Sequence, residues 1–435
     1  MFNINNALSV VVKRIVPICF LGVAYAEKAP IDVFQSYDIP IVDLQNKESF
    51  HTIVDKQKGQ YLGHPTTVLL DDKKTIICVY PKGHGRGPVV MKKSFDGGKT
   101  WSERLPVPES WATSKEVPTL YDVYDANGKK RIIMFSGIQG TSQTVMNRMA
   151  ISEDEGKTWS ELEPVETLPG GIVVMSDLIG LNTGKGHYMA TYHISMPGND
   201  EKGKFGTLVP LVTFTKDGGL TWTKPEPVGE PIRDMHLCEG GFVRSPDGKT
   251  IAMLLRENSR NHNSQVIYST DEGKTWSKPS NLPASLNGDR HQALYLPDGR
   301  LFIQFRDIVP KKNAEIKTSP TVGDWVAWVG RWEDIVDGKQ GEYRIRMRDN
   351  RQSWDTAYPA AELLPDGTLV CTSYGHFDRK ESPYIRSLRF KITDTDAMAK
   401  EIKSGKKEVI VNDLGDKESV FDPNNPEQIQ KAIEK

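Results

Sequence analysis

One eight-residue pattern occurs four times and constrains the fold more than any other feature of the chain. It reads Ser94-Phe95-Asp96-Gly97-Gly98-Lys99-Thr100-Trp101, Ser152-Glu153-Asp154-Glu155-Gly156-Lys157-Thr158-Trp159, Thr215-Lys216-Asp217-Gly218-Gly219-Leu220-Thr221-Trp222 and Ser269-Thr270-Asp271-Glu272-Gly273-Lys274-Thr275-Trp276. All four fit Ser/Thr-x-Asp-x-Gly-x-Thr-Trp. An Asp and a hydroxyl side chain accept main-chain N–H groups across a tight turn, and Gly supplies the positive φ that the turn needs. The Trp then carries a large apolar ring toward the body of the fold. Successive copies lie 54 to 63 residues apart. A turn repeating at that period marks a radial array in which each unit is a small antiparallel sheet.

Turn signals elsewhere count the units. Asp71-Asp72-Lys73, Asp125-Ala126-Asn127-Gly128, Asn182-Thr183-Gly184, Pro246-Asp247-Gly248, Pro297-Asp298-Gly299 and Pro365-Asp366-Gly367 each separate two apolar runs, so six hairpins are expected. The predicted fold is all-β, a six-bladed β-propeller of four-stranded antiparallel sheets. It forms one domain over 27–397, because each blade buries its faces only against its neighbours. The first four blades carry the repeated turn in their outer halves. Residues 324–329 and 343–347 read as outer strands of the fifth blade, and 386–392 as the closing strand. Residues 27–60 show no repeat and read as a leading strand and loops. Residues 398–435 read as a polar tail, with a short helix over 427–433.

Residues 1–26 have the pattern of a signal peptide: Lys13 and Arg14, the apolar run Ile15–Leu21, then Ala24-Tyr25-Ala26. The mature chain is therefore expected to be exported, either secreted or periplasmic. That apolar run is too short to span a bilayer, and no other stretch is apolar enough, so no membrane span is expected. The formal net charge of −1 stays near neutral when residues 1–26 are set aside. Nothing in it favours nucleic acid or an anionic membrane as partner. Outside the signal, Cys78, Cys238 and Cys371 form no disulfide framework and show no metal spacing; one pair at most can bridge.

In such a wheel the first strand of each blade lines the hub and the second runs antiparallel beside it, so the start of one and the end of the other share a rim. Blade I brings His64, Tyr80 and the loop from Lys82 to Arg86. Blade II brings Glu116 and residues 136–139, and blade III brings Asp177, Tyr192 and His193. Blade IV brings Glu239 and Arg256. Blade V brings Asp289, Arg290 and His291, then Arg306 and Asp307. Blade VI brings Asp355 and Tyr358, then Tyr374 and His376. Arg, His, Tyr and carboxylate converging at one mouth equip a binding or catalytic pocket.

The repeated turn resembles the Asp box of the sialidase (neuraminidase) family. Glu239-Gly240-Gly241-Phe242-Val243 followed by Ile251–Arg256, and Ala357–Gly367, are similar to the sialidase segments bearing a Glu, an Arg and a Tyr. The resemblance implies a glycoside hydrolase acting on a glycan that ends in an acidic sugar, such as a sialic, other ulosonic or uronic acid, with no cofactor. By that resemblance Tyr358 is the nucleophile and Glu239 the base that takes its proton. Arg256 and Arg306 hold the substrate carboxylate, with Arg290 as a rival to Arg306. A neutral phenol can approach an anomeric carbon that carries a carboxylate, where an Asp or Glu would be repelled. The chain also departs from the family pattern. Gly63-His64-Pro65 stands where sialidases carry Arg-Ile-Pro, and the loop Gly83–Pro88 lacks the acid/base Asp. Arg86 is a candidate replacement for the missing arginine; His64, His84, Glu116 and Asp177 are candidate proton donors, and His291 a further substrate contact. Two alternatives stay open: a metal-dependent or eliminating enzyme built on His64, His84, His193, His291 and His376, and a propeller that binds a glycan or protein without turnover.

Overall fold

The computed structural model describes residues 37–139, 145–169, 172–195, 207–232, 234–310, 319–351 and 355–405. The expected signal segment 1–26 and the expected helix at 427–433 lie outside the described residues. The described chain forms six small sheets. Blade I is Thr66–Leu69, Ile76–Pro81 and Val89–Ser94, with an outer position marked by a bridge between Met91 and Leu105. Blade II is Thr119–Tyr124, Lys130–Gln139, Val145–Ser152 and Glu163–Pro169. Blade III is Ile172–Gly180, Tyr188–Ser195, Leu208–Thr215 and Glu226–Pro227. Blade IV is Leu237–Arg244, Ile251–Glu257, Gln265–Ser269 and Ser280–Asn281. Blade V is Gly288–Tyr295, Leu301–Asp307, Trp325–Gly330 and Tyr343–Arg348, and Ile41–Asp43 adds a parallel fifth strand.

Blade VI shows how the wheel closes. Ala360–Leu363, Thr368–Gly375 and Tyr384–Lys391 are followed by an outer strand from the other end of the chain, His51–Asp55, which pairs antiparallel with Tyr384–Lys391. The strand expected to close the ring is therefore the third of its blade, and the N-terminal strand covers its edge. Joining the two ends of the chain in one sheet removes an exposed ladder edge. After blade VI, Ile392–Lys403 forms a helix that crosses the expected boundary at 397. It lays Ile392, Met398, Ala399 and Ile402 on the core between blades V and VI, and Asp396 binds Arg300 and the hydroxyl of Tyr343. Among the described residues no helix is long and apolar enough to cross a membrane.

The repeated turns have the expected chemistry. Asp96 Oδ1 accepts the amides of Lys99 and Thr100 at 3.0 and 2.9 Å, its Oδ2 accepts the Thr100 hydroxyl at 2.6 Å, and Ser94 Oγ accepts the Gly98 amide at 2.7 Å. Asp154, Asp217 and Asp271 repeat the arrangement. The second function of the turn is between blades. Gly98, Gly156, Gly219 and Gly273 all have positive φ, and a Cβ there would strike Val370, Ile77, Ile133 and Met189 respectively, at 2.2 to 2.6 Å. Each turn thus sits on the second strand of the preceding blade, and the turn of blade I sits on blade VI. The Trp rings are less buried than the sequence suggests: Trp222 is in the core, while Trp101, Trp159 and Trp276 are half-buried. Cys78, Cys238 and Cys371 are buried free thiols.

Candidate functional site

The start of the inner strand is strained in five blades. His64, Met175, Glu239, Arg290 and Ala357 have φ between 44° and 58°, a region that costs a non-glycine residue about 1–3 kcal/mol. In blades III, IV and V the ladder register slips there, between Ile172 and Asp177, Cys238 and Gly241, and Asp289 and Gln292. A bulge of this kind re-aims a side chain. His64, Glu239 and Arg290 occupy the same place in their blades, and Tyr358 follows directly after its left-handed residue.

Tyr358 and Glu239, 119 residues apart, meet in the hub, where the phenol donates to Glu239 Oε1 at 2.5 Å. Arg256 Nη1 reaches the same carboxylate oxygen at 2.9 Å and the phenol oxygen at 3.4 Å. Both Tyr358 and Glu239 are buried, and Glu239 Oε2 has no hydrogen-bond partner among the described residues. Burial would raise Glu239, but Arg256 and then His193 outweigh it and hold the carboxyl below its ordinary range. Burial, with the charge of Glu239, pushes the Tyr358 phenol well up. At rest the pair is therefore a phenol hydrogen-bonded to a carboxylate.

Beside this pair lies a network of arginines. Asp289, fully buried, is bonded by Arg260 through both Nη atoms, by Arg306 through Nε at 3.0 Å and Nη2 at 2.8 Å, and faces Arg256 Nε at 3.3 Å. Burial would raise Asp289; the three guanidinium charges outweigh it and hold it far below the carboxylate range. Arg306 is the residue that the sequence reading assigns to the substrate carboxylate. It is 1 % exposed, and its ends are bonded to Asp289 and the Thr356 carbonyl. Arg290 lies against the face of Tyr358, 5.5 Å from guanidinium to ring centre.

On the other side of Tyr358 is a cluster of rings. His64 lies 4.4 Å from the Tyr358 ring, 4.5 Å from Tyr374 and 4.9 Å from His84 between ring centres. Asp355 accepts the hydroxyls of Tyr374 at 2.7 Å and Tyr61 at 2.6 Å, with His84 Nδ1 at 3.2 Å. Burial alone would raise Asp355; His84 and His64 and the hydrogen bonds to it hold it far below the carboxylate range.

The other expected residues are placed as follows. Asp177 lines a cavity of about 250 Å³ in the hub, together with Arg290, Tyr358, Tyr121 and Glu362. Its oxygens take the amides of Phe242 and Leu178, and burial lifts it to about 6. His291 stacks on Phe305 and binds the Leu286 carbonyl. Glu116 packs against Gly137 in blade II, and Arg86 is half-buried in its loop. Among the described residues no group of three or more His, Cys, Asp or Glu side chains is arranged to hold a metal ion. Sequence reading missed Arg260 and Tyr61. Arg260 follows four residues after Arg256, and Tyr61 lies in the non-repeating leader, so blade register marks neither.

Residues 112–314 match the family profile described as BNR repeat-like domain, and no curated protein matches the chain. Among solved structures, a protein of unknown function from Dyadobacter fermentans superposes with a TM-score of 0.61 at 16% identity, covering 78% of this chain and 97% of that one. The intramolecular trans-sialidase of Ruminococcus gnavus, in complex with oseltamivir carboxylate, superposes at 0.52 and 14% identity, covering 77% and 95%. The NanB sialidase of Streptococcus pneumoniae superposes at 0.52 and 13% identity, covering 79% and 71%. The fold is that of the sialidase propellers. Within that sialidase-type fold, Tyr358 comes from blade VI and Glu239 and Arg256 from blade IV, with blade V between them.

Proposed function

We propose that the chain is an exported glycoside hydrolase that removes a terminal acidic sugar from a glycan, with Tyr358 as nucleophile and Glu239 as its base. The observation that carries this reading is the buried 2.5 Å hydrogen bond from Tyr358 to Glu239 with Arg256 on both groups. A phenol that is protonated at rest needs a base within reach as it attacks. As the Tyr358 oxygen bonds to the anomeric carbon, its proton passes to Glu239 and the glycosidic C–O bond breaks, its electron pair leaving with the aglycone oxygen. Water then attacks the same carbon; the bond to Tyr358 breaks, and Glu239 returns the proton to the phenol oxygen. Arg256 stabilises the charge on that oxygen at both stages.

The acidic-sugar preference is supported by charge. The guanidinium groups of Arg256 and Arg290 stand at Tyr358 itself, where either can pair with an anion. Arg256 and Arg290, which are less buried than Arg306 and stand against Tyr358, are the candidates to meet the substrate carboxylate. Export rests on the pattern of residues 1–26. The test is a panel of fluorogenic sialosides, ulosonates, uronides and neutral glycosides. Turnover is expected on one acidic class, and Tyr358→Phe should lower it by about a thousandfold or more. Turnover confined to neutral glycosides would refute the acidic-sugar assignment, and turnover undiminished in Tyr358→Phe would refute the nucleophile.

A further inference from the structure

We propose that His84, oriented by Asp355 and Tyr61, is the acid/base group that protonates the leaving oxygen and later deprotonates the attacking water. This rests on the reading of Tyr358 as nucleophile, which leaves the proton donor unassigned. The hydrogen bonds fix where the protons are. The Gly85 amide donates to His64 Nδ1 at 3.2 Å, so that nitrogen bears no hydrogen. The hydrogen of the neutral ring is then on Nε2, which donates to Tyr374 Oη at 3.2 Å, and the Tyr374 hydroxyl donates in turn to Asp355 Oδ1. Both nitrogens of His64 are occupied, and burial, with the charge of His84, pushes it well below the usual imidazole range. His64 lies against Tyr358 and has no proton to exchange with a substrate.

His84 is the reverse case. Tyr61 gives its own proton to Asp355 Oδ2, so its oxygen can only accept from His84 Nδ1, at 2.8 Å. The hydrogen of His84 is therefore on Nδ1, shared between Tyr61 and Asp355. Its Nε2 has no hydrogen-bond partner among the described residues, on a side chain that is 48 % exposed. An imidazole held at one nitrogen by a carboxylate, with the other open, is the arrangement that passes protons. The loop that presents it is tightly folded at its glycines, where a Cβ at Gly83 or Gly87 would meet the carbonyls of Arg86 and Lys82 at 2.4 and 2.7 Å. Of the other groups, His291 faces Phe305; Asp177 lines the cavity with Tyr358 and uses its oxygens to accept the amides of Phe242 and Leu178, whereas His84 keeps a nitrogen open. His193 is buried in blade III.

The step balances. In its doubly protonated form His84 carries a second proton on Nε2; as the glycosidic bond breaks, the pair left on the leaving oxygen takes that proton, and the neutral ring keeps its hydrogen on Nδ1. In the second half His84 Nε2 takes a proton from water as the water oxygen bonds to the anomeric carbon and the Tyr358 oxygen departs. The groups that face His84 are Asp355, Tyr61 and His64, with Tyr374 behind them; Lys82 and Arg86 share its loop.

The experiment compares His84→Gln with the wild type on the turned-over sugar bearing a poor alkyl leaving group and an activated aryl one. His84→Gln is expected to lose on the order of 10²–10⁴-fold on the alkyl glycoside and far less on the aryl glycoside, whose oxygen needs no proton. Its pH profile should lose the limb assigned to the acid. Asp355→Asn, a positioning variant, should lower turnover of the alkyl glycoside more than that of the aryl one, and by less than His84→Gln does. An equal loss on both leaving groups, or full activity in His84→Gln while Tyr358→Phe is inactive, overturns the role of His84 and leaves the nucleophile standing. A wild type inert on every glycoside overturns both.

Discussion

The two sides of Tyr358 hold a buried carboxylate each, and they hold it differently. Asp289, between blades IV and V, is surrounded by Arg256, Arg260 and Arg306. Asp355, leading into blade VI, is surrounded by Tyr61, Tyr374 and His84. The first is a network of fixed charges with no group that titrates near neutrality, suited to holding a static field. The second is built from groups that share protons. Tyr358 stands between a side that sets potential and a side that can move a proton.

The sharpest way to break that contrast is Asp289→Asn. It leaves three buried guanidinium groups without their shared counter-ion, and losing one partner of a buried charge network costs about 3–5 kcal/mol. Urea unfolding should show that loss. Asp355→Asn removes one carboxylate from neutral donors and should cost about 1–3 kcal/mol. Equal losses would mean that the two sides are built alike.

Acid should act on the same two groups. Both folded-state values lie below that of the unfolded chain, so each carboxylate contributes stability that is complete above the ordinary Asp range near 3.9 and is lost as pH falls below it. The acid limb of stability should flatten in Asp289→Asn. The cavity acids run the other way. Burial raises Asp177 to about 6 and Glu362 to about 7, so the folded chain binds more protons than the unfolded one between about 4 and those values, and stability falls as pH rises through that window. Glu362→Gln keeps an acceptor for the Thr67 hydroxyl and should stabilise the protein at pH 8 by on the order of 1 kcal/mol, with no gain at pH 4. A gain of the same size at both pH values would contradict the raised titration.

What the sequence shows of all this depends on how far apart the interacting residues lie. The turn at Asp96 closes its hydrogen bonds within four residues, so a local pattern reveals it, and four copies reveal the wheel. Tyr358 and Glu239 were recoverable because hub register puts strand starts together. The commitment of Arg306 to Asp289 was not, since it depends on which way a side chain points at a bulge. Closure by His51–Asp55 was hidden because its partners, such as Leu388 opposite His51, are at the far end of the chain. The helix Ile392–Lys403 has so few apolar positions that it reads as tail.

The most direct measurement is covalent trapping. The protein is incubated with a fluorinated acidic-sugar donor that carries a good leaving group and is slow to hydrolyse, and its mass is then read intact and after digestion. One sugar residue bonded to the Tyr358 oxygen, and no such adduct in Tyr358→Phe, is the predicted result. An adduct on any other side chain, or turnover of the donor by Tyr358→Phe at the wild-type rate, would contradict it.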